Sequence, residues 1–437
     1  MRVRLLGTGA ASGWPDPWCS CASCAAAATQ GVVRGQTGAL VDDRLLLDLG
    51  PELPRAALRQ GVSLAAVEGV LVTHLHADHC APATLRWRGY HDLAPLRLAG
   101  PPPVLEACAS LAHDGLELLP VAAGDRLTVA GYAVVVLPAA HGSAAVLYDV
   151  TGPDGSRLLY ATDTGVLPEA ALALASGRAY DAVLLELTNA TSGSHLDLTT
   201  FPLQVQRLRS CGAVTDRTQL VAVHLGHGNP PPDILDALLG SWGCRAGRDG
   251  DLLSLGPDRV DRGARVLVLG GARSGKSAHA ERRVTGCAPV TYVATAPARP
   301  DDREWAARVA AHVARRPAAW RTVETGDLAQ VLRSASGTVL VDDLGLWLVQ
   351  VIDAAQAWEA ADDVFAAALG ELCHAWATSP ADIVLVAPEV GSGVVPEHRS
   401  GRVFRDLLGT ATAALAAQAD EVVQVVAGIP RRLTGRS

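Results

Sequence analysis

Residues 270–277 read Gly270-Gly271-Ala272-Arg273-Ser274-Gly275-Lys276-Ser277. They follow an apolar run at 265–269 and precede a run with helical character at 278–283. A glycine-rich turn between a strand and a helix, closed by lysine and serine, is the pattern of a phosphate-binding loop. Backbone N–H groups of such a loop face the phosphates, Lys276 contacts their outer oxygens, and the Ser277 hydroxyl coordinates Mg²⁺. The stretch therefore predicts a nucleotide-binding α/β domain.

The sequence beyond this loop alternates between apolar runs and helical patterns. The apolar runs lie at 290–294, 338–342, 383–386 and 421–426, and helical runs at 301–316 and 402–418 separate some of them. Short, wholly apolar strands between helices are typical of a mainly parallel sheet that is covered on both faces.

A second motif lies far upstream of the loop and belongs to a different chemistry. Residues 73–79 read Thr73-His74-Leu75-His76-Ala77-Asp78-His79, directly after an apolar run. A single histidine is usually an ordinary polar residue, but four ligand-type side chains within six positions favour a metal site. A carboxylate beside imidazoles suits a pair of divalent cations, which activate water and neutralise phosphoryl or carbonyl charge. We expect the remaining ligands at the ends of later strands.

The two motifs indicate a fusion of two enzymes. Short β-rich runs continue from the start of the chain to 252–255 and are followed by a polar, breaker-rich segment. We therefore predict a hydrolase domain at 1–255, a linker at 256–264 and a nucleotide-binding domain at 265–437.

Composition limits the classes of partner. The chain has 437 residues, of which 49% are hydrophobic, and its formal net charge of -8 gives no basic surface for nucleic acid or anionic membranes. No apolar stretch is long enough to span a membrane, and the start of the chain reads as a strand and not as a signal peptide. We expect a cytoplasmic protein that acts on small molecules.

Three of the nine cysteines are grouped as Cys19, Cys21 and Cys24. In a reducing compartment such a group favours a metal over disulfides, although three free thiols in a loop are the alternative. The other cysteines are interpreted as small buried apolar residues.

Residues 1–255 resemble the metallo-β-lactamase superfamily, an αββα sandwich, and come closest in pattern to its phosphoribosyl cyclic phosphodiesterases. The resemblance rests on the histidine motif, on Gly7-Thr8-Gly9 and on the cysteine group. It implies one metal on His74, His76 and His141, a second on Asp78, His79 and His224, and Asp163 as the bridge between them. It also implies a structural zinc on Cys19, Cys21, Cys24 and His227, and a general-acid or phosphate-binding role for His195. The two catalytic metals would be Zn²⁺ or Mn²⁺. The substrate, some phosphoester, stays open.

Most of residues 265–437 resemble the adenosylcobinamide kinase / adenosylcobinamide-phosphate guanylyltransferases of cobalamin assembly. The loop at 270–277, Ala280-Glu281 and segments at 292–296, 341–348 and 389–397 carry the resemblance. It implies that Mg²⁺ with ATP or GTP is bound, that His312 carries GMP covalently, and that Glu324 and Asp342 face the nucleotide or Mg²⁺. It also implies adenosylcobinamide as substrate and self-association of the domain.

Three positions depart from that family pattern: Pro388, His398, and the region around Thr412, which lacks an Asn-Gln pair. One alternative is that these departures have removed transfer activity and that the C-terminal domain is a nucleotide-binding regulator of the hydrolase. A separate alternative is that the chain is chiefly a cyclic phosphodiesterase with a passenger kinase.

Overall fold

The computed structural model describes residues 1–111, 115–142, 144–189, 194–256, 263–285, 289–295, 316–317 and 319–433. The chain divides into two compact units, Met1–Arg259 and Val260–Ser437. The first unit has two sheets and the second has one, and each unit has its own apolar cores. Of the predicted linker at 256–264, residues 257–262 lie outside the described residues.

The first unit is built on two seven-stranded sheets. The first sheet has the order β14-β1-β2-β3-β4-β5-β6 and consists of β1 (Arg2–Gly7), β2 (Gly38–Val41), β3 (Leu45–Leu47), β4 (Gly69–Leu71), β5 (Leu96–Gly100), β6 (Leu116–Pro120) and β14 (Leu252–Ser254). The second sheet has the order β13-β12-β11-β10-β9-β8-β7 and consists of β7 (Arg126–Val129), β8 (Tyr132–Pro138), β9 (Val146–Thr151), β10 (Arg157–Ala161), β11 (Ala182–Glu186), β12 (Gln219–Val223) and β13 (Arg245–Ala246).

Helices cover the outer faces of both sheets in the first unit. They are α1 (Ala22–Thr29), α2 (Leu53–Arg59), α3 (Ala83–Arg88), α4 (Pro102–Ala109), α5 (Glu169–Ala175), α6 (Thr200–Ser210) and α7 (Pro232–Ser241). One apolar core lies between the sheets and contains side chains from both, such as Leu47 and Tyr160. Another apolar core lies between the first sheet and helices α2 and α4. A further apolar core lies between the second sheet and helices α5, α6 and α7. This is the predicted αββα sandwich.

The second unit has one sheet with helices on both faces. Its strands, in the order β17-β16-β18-β19-β15-β20-β21, are β15 (Arg265–Gly270), β16 (Val290–Ala294), β17 (Arg321–Glu324), β18 (Thr338–Asp342), β19 (Asp382–Pro388), β20 (Glu421–Val426) and β21 (Ile429–Leu433). Its described helices are α8 (Lys276–Val284), α9 (Leu328–Ser334), α10 (Leu344–Ala354), α11 (Asp362–Thr378) and α12 (Arg399–Ala416). Every pairing is parallel except β20 with β21, as the alternation of apolar runs and helices predicts.

Helix boundaries follow local sequence signals. Asp327 and Asp343 cap α9 and α10 because their carboxylates accept the backbone N–H three residues later, at 3.0 and 2.9 Å. The helical run predicted at 402–418 begins slightly earlier, at Arg399, and the run predicted at 301–316 lies almost wholly outside the described residues. Among the described helices, none combines the length and apolarity that crossing a membrane requires.

Candidate active sites

The metal-ligand candidates of the first unit come together at the ends of its strands. His74, His76, Asp78 and His79 lie in the loop after β4, and His141, Asp163 and His224 follow β8, β10 and β12. Their potential ligand atoms form two groups, within each of which all atoms lie within 4.8 Å of one another. The groups are His74, His76, His141 and Asp163, and Asp78, His79, Asp163 and His224. These are the two sets that the resemblance implies.

Asp163 belongs to both groups and offers a different oxygen to each. Its Oδ2 lies 3.2 Å from His74 Nε2 and 3.6 Å from His141 Nε2. Its Oδ1 lies 2.9 Å from His224 Nε2 and 3.4 Å from His79 Nε2. One carboxylate that faces two imidazole groups in this way suits a bridging ligand.

The donor chemistry fits divalent metals. Among the described residues, the buried Nε2 of His74 makes no hydrogen bond of good geometry, although Asp163 Oδ2 lies 3.2 Å away, and His76 Nδ1 and His141 Nε2 face each other at 3.2 Å. Ring nitrogens held this close, beside a buried carboxylate, gain more from a shared cation than from one another. The nitrogen and oxygen donors suit Zn²⁺ and Mn²⁺.

Asp48 orients one of these imidazoles from behind. It follows β3, is fully buried, and accepts hydrogen bonds from His79 Nδ1 at 2.7 Å and from the Tyr160 hydroxyl at 2.8 Å. Asp48, Asp163 and His224 all adopt positive φ angles, of 64°, 51° and 55°. Such strained backbone persists where the surroundings impose it, and it is common at functional sites.

A second histidine–carboxylate pair adjoins the metal-ligand candidates. His195 Nδ1 lies 2.8 Å from Oε2 of Glu186, the fully buried last residue of β11. The other oxygen of Glu186 accepts the backbone N–H of Thr164 at 2.5 Å. Burial disfavours protonation of His195, but the bond to Glu186 and its charge outweigh burial and raise the pKa of His195. His195 is therefore suited to donate a proton or to bind a phosphate oxygen.

The cysteine group forms a separate cluster with His227. Cys19, Cys21, Cys24 and His227 have their potential ligand atoms within 4.8 Å of one another. Cys21 precedes α1, and the backbone N–H of Cys24 and the His227 ring lower the pKa of its thiol to about 6. A stabilised thiolate among sulfur and nitrogen donors suits a tetrahedral zinc.

The phosphate-binding loop of the second unit joins β15 to α8 as predicted. Gly275 precedes the helix with a φ of 92°, and a side chain on Gly270 would come within 2.7 Å of the backbone carbonyl oxygen of Val425. Both positions therefore require glycine. The buried Ser274 hydroxyl has no hydrogen-bond partner among the described residues, and Lys276 Nζ lies 3.5 Å from the Gly271 carbonyl oxygen.

Asp342 contacts Ser277, the last residue of this loop, whereas Glu324 lies farther away. Ser277 Oγ donates to Asp342 Oδ1 at 3.2 Å, and the Tyr292 hydroxyl donates to Oδ2 at 2.8 Å. A hydroxyl next to a carboxylate oxygen is a donor set that Mg²⁺ accepts. Glu324 and Asp342 both align with Ala294, one on each side of β16, so Glu324 lies two strands away at the same sheet edge. His312 lies outside the described residues.

Sequence reasoning missed three residues of these sites: Asp48, Glu186 and Tyr292. Asp48 and Glu186 carried a visible signal, because each is an acid at the end of an otherwise apolar strand run. Tyr292 carried none, since its contact with Asp342 depends on β16 pairing with β18.

Comparisons with known proteins match both units. A family model described as cobinamide kinase / cobinamide phosphate guanyltransferase matches residues 266–433, and a beta-lactamase superfamily domain matches residues 43–225. The bifunctional adenosylcobalamin biosynthesis protein CobP of Pseudomonas aeruginosa is 43% identical over 179 residues, with 39% of this chain and 98% of that protein covered.

Two solved structures are similar to part of this chain. Zn²⁺-bound PqqB from Methylobacterium extorquens has a TM-score of 0.47 at 21% identity, with 58% of this chain and 100% of that chain covered. A diphosphatase from the PhnP family has a TM-score of 0.48 at 21% identity, with 58% and 97% covered.

Proposed function

The chain belongs, through residues 266–433, to the cobinamide kinase / cobinamide phosphate guanyltransferase family, and from this we propose that its second unit performs both reactions on adenosylcobinamide. In the first reaction, ATP or GTP phosphorylates the aminopropanol hydroxyl of the substrate. In the second, GMP from GTP is transferred to the resulting phosphate. The observation that carries this proposal is the loop at 270–277 with Asp342 bonded to Ser277 beside it.

Binding of the nucleoside triphosphate rests on the loop and the start of α8. The backbone N–H groups at the helix N-terminus bind phosphate oxygens, and Lys276 neutralises their charge. Ser277 and Asp342 would hold Mg²⁺, which supplies charge neutralisation during phosphoryl transfer. The kinase reaction then depends on placing the substrate hydroxyl in line with the γ-phosphate.

Guanylyl transfer is assigned to His312 by the resemblance. Its neutral imidazole attacks the α-phosphorus of GTP, so that a nitrogen–phosphorus bond forms and pyrophosphate leaves. A phosphate oxygen of adenosylcobinamide phosphate then attacks the same phosphorus. The nitrogen–phosphorus bond breaks, the imidazole is restored, and a pyrophosphate linkage joins GMP to the substrate.

The test is covalent labelling with GTP that carries radioactive phosphorus at the α-position. Purified full-length protein with Mg²⁺ is expected to acquire an acid-labile label, which adenosylcobinamide phosphate then removes. His312→Ala should acquire none. Retention of the label by that variant would overturn the assignment of His312, and no label on the wild type would overturn the transferase proposal.

The first unit has the metallo-β-lactamase fold, and its proposed activity is metal-dependent hydrolysis of a phosphoester. The two groups that share Asp163 would hold two divalent cations, which supply Lewis acidity to activate water and neutralise phosphoryl charge. His195, held by Glu186, donates a proton to the leaving oxygen or binds a substrate phosphate. The fusion itself favours a substrate in the same or an adjoining pathway.

Hydrolysis of bis(p-nitrophenyl) phosphate tests this activity without knowledge of the natural substrate. Protein loaded with Mn²⁺ or Zn²⁺ is expected to release p-nitrophenol, and Asp78→Asn should lose most of this activity. Equal rates for the two proteins would remove the support for a working metal site.

A regulatory role of the second unit is the alternative that Pro388, His398 and the region of Thr412 favour. In that case GTP binds, but adenosylcobinamide is not turned over and the hydrolase rate changes with GTP. Product analysis with adenosylcobinamide, ATP and GTP separates the two roles.

Three further features complete the proposal. The cluster of Cys19, Cys21, Cys24 and His227 holds a structural zinc that ties the loop before α1 to the loop after β12. The second unit self-associates, which light scattering of the purified protein would test. The nucleotide substrates are cytoplasmic metabolites, which supports a cytoplasmic location.

A further inference from the structure

Tyr292 lies at the centre of a set of contacts that no activity described above assigns to it. The residue is on β16 and only 2% exposed. Its hydroxyl donates to Asp342 Oδ2 at 2.8 Å, while Ser277 Oγ donates to Oδ1 of the same carboxylate at 3.2 Å. The two oxygens of Asp342 thus accept hydrogen bonds from two different elements, the neighbouring strand β16 and the start of α8.

The orientation of this carboxylate matters because it can rotate about its terminal bond. If its two oxygens exchanged places, the oxygen that faces Ser277 would change. A tyrosine hydroxyl is a donor at neutral pH, so it pairs with one oxygen and directs the other toward Ser277.

The ring of Tyr292 is itself held in place by a cation. The guanidinium carbon of Arg316 lies 3.4 Å from the ring centroid, close enough for a cation–π contact. The Arg316 Nε is buried and has no hydrogen-bond partner among the residues that the structure describes. The contact with the aromatic face connects residue 316 to β16.

We propose that Tyr292 is a positioning residue of the nucleotide site, and that Arg316 fixes its ring. Tyr292 holds the Asp342 carboxylate so that Oδ1 faces Ser277, and this pair would hold the magnesium ion that accompanies a nucleoside triphosphate. The proposal rests on the proposed function of the second unit, because it concerns how that unit binds Mg²⁺ with GTP. It predicts a defect in the contribution of Mg²⁺ to binding, and not in binding of the nucleotide itself.

Calorimetric titration of the full-length protein with GTP, in EDTA and in Mg²⁺, tests the proposal. The wild type is expected to bind GTP more tightly in Mg²⁺. In Tyr292→Phe, which keeps the ring and its contact with Arg316, affinity in EDTA should stay within about twofold of the wild type. The gain from Mg²⁺ should fall about tenfold, as expected for losing a hydrogen bond to a charged group.

Two further variants separate positioning from a general structural effect. Tyr180→Phe is the matched control, because the Tyr180 hydroxyl also donates to a buried carboxylate, that of Asp149 at 3.0 Å, but in the first unit. It should leave both GTP affinities unchanged. If Tyr292 acts through Asp342, adding Tyr292→Phe to Asp342→Asn should cause no further loss.

The outcomes distinguish this inference from the function on which it rests. A wild type that does not bind GTP, or gains nothing from Mg²⁺, would overturn the proposed nucleotide site. A normal wild type with a full Mg²⁺ gain in Tyr292→Phe would overturn only the role of Tyr292. If Tyr292→Phe lost equal GTP affinity in EDTA and in Mg²⁺, Tyr292 would have a general structural role, and this result would also overturn the inference.

Discussion

At the scale of single residues, the structure places two buried carboxylates behind histidines of the first unit. Asp48 binds His79 Nδ1, and Glu186 binds His195 Nδ1. Carboxylates in this position fix the ring orientation and the tautomer of an imidazole, and they increase its basicity. Neither carboxylate needs to touch substrate to determine how well the site works.

Replacing Asp48 by asparagine should weaken metal binding at the group that contains His79. Loss of such an outer carboxylate typically costs about 10- to 100-fold in metal affinity or activity. Competition with a chelator, followed by metal analysis, measures the affinity. Glu117→Gln is the control, because Glu117 pairs with Arg97 on the exposed surface, and it should behave as the wild type. Equal affinity of Asp48→Asn and Glu117→Gln would contradict this prediction.

Replacing Glu186 by glutamine should lower the rate of phosphodiester hydrolysis but leave the amount of bound metal unchanged. Glutamine keeps the shape of the side chain but removes the charge that raises the pKa of His195. We expect kcat for bis(p-nitrophenyl) phosphate to fall about 100-fold, the lower end of the range for loss of general acid–base catalysis. A drop in bound metal that accounts for the whole loss of rate would instead make Glu186 a ligand.

At the scale of secondary-structure elements, α8 and α12 show opposite requirements for glycine. Gly275 precedes α8 with a φ of 92°, and a side chain there would approach the Gly428 Cα at 3.3 Å. Gly409 lies within α12, and a side chain there would meet open space. The same substitution should therefore have opposite signs at the two positions.

Gly275→Ala should lower the free energy of unfolding by about 1–2 kcal/mol, the cost of a left-handed conformation for alanine. It should also weaken GTP binding, because the strain falls on the phosphate-binding loop. Gly409→Ala should raise the free energy of unfolding by about 0.5–1 kcal/mol and leave GTP binding unchanged. Urea denaturation of the full-length protein measures the free energy of unfolding of both variants, and calorimetric titration measures their GTP binding. A higher free energy of unfolding in Gly275→Ala would contradict the first expectation.

Replacing Cys24 by serine should release one zinc ion per chain and lower the melting temperature of the first unit. The cluster connects the loop before α1 with His227, so its loss frees both segments. Cys211→Ser is the matched control, because Cys211 is half-buried at the end of α6 and lies outside the cluster. Atomic absorption measures the zinc, and an unchanged zinc content in Cys24→Ser would exclude a structural metal there.

Individual strands and helices were easier to predict from the sequence than the order in which the strands lie next to one another. The layered architectures follow from apolar runs and helical patterns, and the loop at 270–277 lies between a strand and a helix as its motif requires. The strand-end positions of Asp163 and His224 could be read from the sequence, but their approach to His79 needs strands far apart in the chain to lie at one edge. Strand order, which brings Tyr292 to Asp342, has no local signal.

At the scale of the whole molecule, each unit has its own cores and its own candidate site. A substitution in one site should therefore leave the chemistry of the other intact. Asp78→Asn should remove phosphodiesterase activity but retain labelling by GTP, and His312→Ala should do the reverse. Measuring both activities on both variants of the full chain checks this independence. A loss of GTP labelling in Asp78→Asn would indicate that the hydrolase site controls the transferase.

The pairing of early with late strands has a consequence for synthesis of the chain on the ribosome. β1 pairs with β14, and β15 lies between β19 and β20. The first strand of each unit therefore cannot pair fully until one of the last strands of that unit has been translated. Until then its edge is open to other nascent chains, and a premature stop before residue 382 would leave the phosphate-binding loop without either neighbouring strand.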